Sequence, residues 1–132
     1  MSRLSASAKG AALGLLAIPI IATSAFAATA SLQGDCDTDL VVGTNVRTAS
    51  GTGTIKLKYT NGMGLTNSVA LRISPIDDRT GSAWAGTTVV GPKTGGTYTL
   101  ASSVTKGRKF TLNFRAAENN NFDWHWEGTL TY

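Results

Sequence analysis

A chain of 132 residues with 12 Lys and Arg, 8 Asp and Glu, one His, one Cys and 15 Gly has room for one domain. At 42% hydrophobic and 15% charged residues it is neither an acidic disordered chain nor a supercharged nucleic-acid binder. A single Cys permits no internal disulfide and no Cys-based zinc site, so the fold has to stand on its apolar core.

Residues 1–27 read as a secretory signal peptide. Arg3 and Lys9 form a positive n-region, and residues 11–22 (AALGLLAIPIIA) supply an apolar stretch of the right length. Ala25-Phe26-Ala27 places small residues at −3 and −1 of a cut before Ala28, and Ala28-Thr29-Ala30 permits a second cut before Ser31. A retained anchor needs about 20 apolar residues, whereas this run is shorter and holds Pro19. Gln33-Gly34-Asp35 before Cys36 does not resemble a lipobox. The expected product is secreted and extracellular, with no membrane contact after cleavage. Its residues 28–132 keep 10 basic against 8 acidic side chains, a surplus too small to argue for nucleic acid.

Downstream of the leader, apolar residues alternate with polar ones, the pattern of half-buried strands. Residues 28–39 form a polar N-terminal segment. An apolar run follows over 40–46, with Gly43 as a possible bulge. Ile55, Leu57 and Tyr59 then share one face, opposite Lys56 and Lys58, before turn residues Asn61-Gly62 and Gly64. Val69, Leu71 and Ile73 alternate with Ala70, Arg72 and Ser74, and Pro75 is expected to end that pairing. A turn at 77–81 leads to a strand over 83–90 that contains Trp84.

Gly91-Pro92 and Gly95-Gly96 bracket the next connection, after which Tyr98 and Leu100 face inward. Residues 102–108 are polar and turn-like, with Lys106, Arg108 and Lys109 as a basic hairpin tip. Phe110, Leu112 and Phe114 alternate with Thr111, Asn113 and Arg115. Beyond Asn119-Asn120-Asn121, the residues Phe122, Trp124, Trp126, Leu130 and Tyr132 share one parity. His125, Glu127, Thr129 and Thr131 take the other, and Gly128 marks a bulge or a close backbone contact. About seven short strands with frequent turns predict an all-β fold over 40–132, an antiparallel β-sandwich of immunoglobulin-like architecture. A small closed barrel is the alternative.

The inventory for catalysis is thin, and the expectation is a protein that is not an enzyme and carries no cofactor. His125 stands alone as an imidazole, on the outward parity of a strand, and no G-x-S-x-G elbow accompanies it. Gly51-Thr52-Gly53-Thr54 lacks the Lys and helix of a phosphate loop. Asp35, Asp37 and Asp39 have the spacing that opens a calcium loop, but its sixth position is Leu40 and its twelfth Val46. They remain a calcium candidate on spacing alone. Cys36 is either paired with another chain or a quiet buried thiol, its pKa raised by Asp35 and Asp37. Trp84 can sit on either face and is a candidate sugar-stacking or protein-binding residue, whereas Trp124 and Trp126 read as core.

The leader ending in AFA, the Thr/Gly-rich body and the closing WHWEGTLTY resemble small exported bacterial β-sandwich proteins of actinomycete type. Strand-exchanged pilin subunits share the sandwich class, the extended N-terminal segment and a Tyr near the C terminus. This chain is shorter than those pilins and has one Cys where many have two. Lack of catalytic machinery, the polar segment 28–39 and the odd Cys36 point to a non-enzymatic protein-interaction module. It would serve as an accessory subunit of an extracellular or surface assembly, its N-terminal segment adding as a strand to a neighbour's sheet edge. The partner would then be another secreted or surface protein. A glycan- or envelope-binding module using exposed Trp is the second reading, and a small secreted toxin or protease inhibitor the third.

Overall fold

The computed structural model describes residues 27–118 and 122–132, so the leader up to Phe26 and the connection at 119–121 lie outside the described residues. Among the described residues there are nine strands: β1 (Thr29–Cys36), β2 (Val41–Val42), β3 (Arg47–Thr48), β4 (Gly53–Asn61), β5 (Leu71–Asp77), β6 (Thr88–Val90), β7 (Thr97–Val104), β8 (Lys109–Ala116) and β9 (Trp124–Thr131). Every strand pair is antiparallel. One sheet runs β1-β9-β4-β7, the other β2-β8-β5-β6, with β3 also pairing β8. The sheets face one another as a β-sandwich and are not closed into a barrel. No described helix is long and apolar enough to cross a membrane.

Alternation places the core as expected. Ile55, Leu57 and Tyr59 of β4 are buried, as are Leu71 and Ile73 of β5, Phe110 and Leu112 of β8, and Trp126 and Leu130 of β9. Lys56 and Lys58 are exposed on the other face of β4. The aromatic rings lock the layers at their edges. Phe114 meets Trp126 edge-on at 5.2 Å between centroids, and Phe110 meets Tyr132 edge-on at 5.6 Å. Such contacts add to plain area burial. Gly34 of β1 sits directly opposite Trp126, and a side chain there would collide with the indole and with Phe114.

Five local expectations are corrected. Segment 28–39 is largely β1, paired with β9 over its whole length, and so completes its own sheet. Run 40–46 breaks into two-residue strands, and Leu40, Val42 and Val46 are exposed. Pro75 lies inside β5 instead of ending it. Its carbonyl accepts from Trp84 N–H, so its nitrogen also points away from β8 and the missing N–H costs the β5–β8 ladder nothing. Span 83–90 keeps strand pairing only at the Ala83 bridge and over β6. At the far end, Phe122 is 64% exposed and does not join the inward row.

Candidate binding face

The outer faces of the two sheets differ in chemistry. On the four-stranded sheet the outward positions of β1, β4 and β9 are Gln33, Asp35, Lys56, Lys58, His125 and Glu127, which are polar throughout. On the other sheet, β5 turns Arg72, Ser74 and Ile76 outward, and β8 turns out Thr111, Asn113 and Arg115. Val89 of β6 stands opposite Arg72, and Val42 of β2 opposite Asn113. Leu40, Val42 and Val89 are three of the six exposed large hydrophobic residues among those described, at 57%, 63% and 50%. A band from Val89 across Arg72 and Arg115 to Leu40 spans four strands, roughly 14 Å at ordinary strand spacing.

Arg72 and Arg115 are direct cross-strand partners. Directly opposed like charges destabilise a sheet, and among the described residues neither guanidinium has a carboxylate partner. Both line a groove of about 310 Å³ with Leu40, Ser74, Ile76 and Asn113. Asn113 Oδ1 accepts from the Gly43 N–H at 3.3 Å, and the Ser74 hydroxyl reaches Thr87 Oγ1 at 3.2 Å. Donors therefore dominate the groove, with apolar side chains at its margins.

The residues singled out from sequence lie elsewhere. Cys36 is 2% exposed, with its thiol 3.6 Å from Met63 Sδ. Its pKa is raised to about 11, first by burial and then by the charges of Asp37, Asp123 and Asp35. Burial, rather than the flanking Asp charges, leads the shift. Of the two readings for Cys36, the geometry gives the quiet buried thiol. In the native chain, alkylation by iodoacetamide at pH 8 is expected to be far slower than in urea, and equal rates would show that Cys36 is open.

Trp84 is half-buried and tilted against Phe110 at 5.3 Å between centroids. Arg108 Cζ stands 4.8 Å over its ring, so that face is taken by a cation instead of a sugar. The Arg108 guanidinium also bonds the Asp77 carboxylate, which is turned inward at the end of β5. The pKa of Asp77 is lowered to about 2 by the donors around its carboxylate, first the Trp84 indole N–H, which closes no hydrogen bond of good geometry, and then the Arg79 backbone N–H at 2.9 Å. This cluster pins the 77–84 turn against the core.

The Asp35, Asp37 and Asp39 carboxylates do not converge. Asp35 faces His125, and Asp37 Oδ1 accepts from the Asp39 N–H. Among the described residues no group of three His, Cys, Asp or Glu is placed to hold a metal ion.

His125, expected to face outward, does so and bridges two carboxylates. Its Nδ1 is 2.8 Å from Asp35 Oδ1 and its Nε2 3.1 Å from Glu127 Oε1. Hydrogen bonding to Asp35, then to Glu127, raises its pKa above the ordinary 6.5. The stability that this cluster contributes is complete below the unfolded pKa and fades as pH rises through the higher folded value. Wild type should therefore lose its melting-temperature margin over His125→Asn between pH 5.5 and 8.5. A margin that grows with pH would contradict the bridge.

No family model matches the chain, and neither does any curated protein or solved structure. Function has to be argued from this surface alone. Arg72 and Arg115 were not singled out in the sequence, where they are 43 positions apart in numbering and bear no motif. The available hint was the mismatch of exposed apolar residues with a polar outer parity.

Proposed function

We propose that this chain is an exported, non-enzymatic β-sandwich that binds another protein through the outer face of its five-stranded sheet. The observation that carries the reading is the placement of Leu40, Val42 and Val89 on that face, exposed and clustered around Arg72 and Arg115. Exposed apolar groups gathered on one side of a small domain mark an interaction surface more often than scattered ones do. Export rests on the n-region, apolar run and AFA site at 1–27. Because β1 completes its own sheet, the docking reading moves from the N-terminal segment to this face.

The test is capture of partners from the medium and cell surface by the full chain expressed in its native host. Wild type and the outward control Lys56→Glu/Lys58→Glu should retain the same partner, whereas Val42→Lys/Val89→Lys should lose it. Equal recovery by all three variants would overturn the reading. Retention of the chain inside the cell would overturn export.

A glycan-binding reading is supported by one observation, the exposed ring of Phe122 beside the half-buried Trp124 at 5.7 Å between centroids. Pull-down on insoluble envelope polysaccharide, abolished by Phe122→Ser, would favour it over protein docking.

A further inference from the structure

We propose that Arg72 and Arg115 form a clamp for carboxylates, and that the ligand they fit is an acidic, extended segment of a protein. This inference rests on the docking face described above and names the chemistry of its occupant. The two residues are cross-strand partners on adjacent strands of one sheet, so both guanidinium groups rise from the same spot on the same face. No carboxylate among the described residues neutralises either one. Lys109 of β8 shares the outward parity of Arg115, whereas Arg47 of β3 pairs with the inward Phe110, and the one acidic residue of these strands, Asp77, is turned inward and bonded to Arg108. The outward positions of these strands thus carry three cations and no carboxylate.

Next to the arginine pair, the cross-strand partners Ser74 and Asn113 continue the same row of polar atoms. Asn113 uses its amide oxygen on Gly43 N–H, which leaves its NH2 group to donate outward. Two guanidinium forks and an amide NH2 ask for an acceptor-only group, and a carboxylate accepts both forks.

The flanks decide what carries that group. Leu40 and Val42 border the pair on one side and Val89 on the other, and Ile76 lines the groove further along β5. Apolar side chains on both sides suit an extended peptide with apolar residues two positions either side of an acidic one, because only alternate side chains share a face. A polyphosphate or teichoic-type polymer offers nothing to bury against them. A sulfated glycan would pair with the arginines but, like polyphosphate, has no apolar side chain to bury against Leu40, Val42 and Val89.

The experiment titrates the 15N-labelled chain with a capped peptide carrying Val two positions either side of each Glu, with Ser between them, with its Gln-for-Glu counterpart, and with sodium polyphosphate. The Glu/Val peptide should shift resonances of β5, β6 and β8, including the Arg72 and Arg115 Nε–H groups. The neutral counterpart should bind at least tenfold more weakly. Arg72→Gln/Arg115→Gln should weaken the Glu/Val peptide at least tenfold, and raised salt should do the same to wild type. Each single Arg→Gln variant should also melt at or above the wild-type temperature, because it relieves an opposed like-charge pair. A purely structural arginine would show a lower melting temperature and unchanged binding, and that result overturns the proposal.

Shifts from polyphosphate with none from the peptide overturn the choice of a protein ligand. Failure of the face and failure of the clamp remain separable. If capture of the natural partner depends on Val42 and Val89 but ignores Arg72→Gln/Arg115→Gln, the face stands and the acidic ligand falls.

Discussion

Trp126→Ala should destabilise the chain by about 3–5 kcal/mol, a large share of the roughly 5–15 kcal/mol that holds a domain together. Trp126 is 1% exposed, the largest of the fully buried side chains, and its ring meets Phe114 edge-on across the gap between the sheets. Its cross-strand partner is Gly34, which has no side chain to fall into the space the indole would leave. The cavity would therefore stay open, and cavity volume adds to the lost transfer free energy. Phe122→Ala, two turns of parity earlier and 64% exposed, should be nearly silent. Urea melts of both variants decide the matter. Similar losses for the two would mean that the C-terminal strand does not seal the core.

The second large effect is expected at Gly128, which is buried in β9 between β1 and β4. A Cβ at Gly128 would lie 2.7 Å from Leu57 Cδ1 and 2.9 Å from the Lys58 carbonyl oxygen. The leucine can turn its end away, but the carbonyl belongs to the backbone of β4. Moving it disturbs the pairing of β4 with both β9 and β7. Gly128→Ala should cost about 1–3 kcal/mol and Gly128→Val more. Thr129→Val, one position on and outward, should cost little. The urea midpoints should fall in the order Thr129→Val, Gly128→Ala, Gly128→Val. An unchanged midpoint for Gly128→Val would show that β9 does not lie against β4 in this register.

Gly128 also shows how a sequence signal can be right in kind and incomplete in detail. Its position in an aromatic strand marks a close backbone contact, and the structure supplies the neighbour, Lys58. The ladder slips beside it, since Tyr59 pairs with Gly128 and Asn61 with Glu127, leaving Thr60 as the extra residue. The bulge expected at Gly128 therefore falls on β4.

Period-two alternation is a local property, so it read correctly wherever a long strand buries one face and wets the other. Ile55, Leu57 and Tyr59, then Phe110 and Leu112, then Trp126 and Leu130 were legible for that reason, and with them the all-β sandwich. Which strands become neighbours depends on residues far apart in the chain, and only the tertiary structure decided it. Pairing across 90 positions joins His125 to Asp35, and pairing of β5 with β8 sets Arg72 beside Arg115. Pro75 could stay inside β5 only because its nitrogen faces away from β8. Leu40 and Val42 have the composition of core residues, yet they lie at a sheet edge where, among the described residues, no layer covers the outer face. Burial needs a second surface to press against, and the chain places its own second surface on the other side of that sheet.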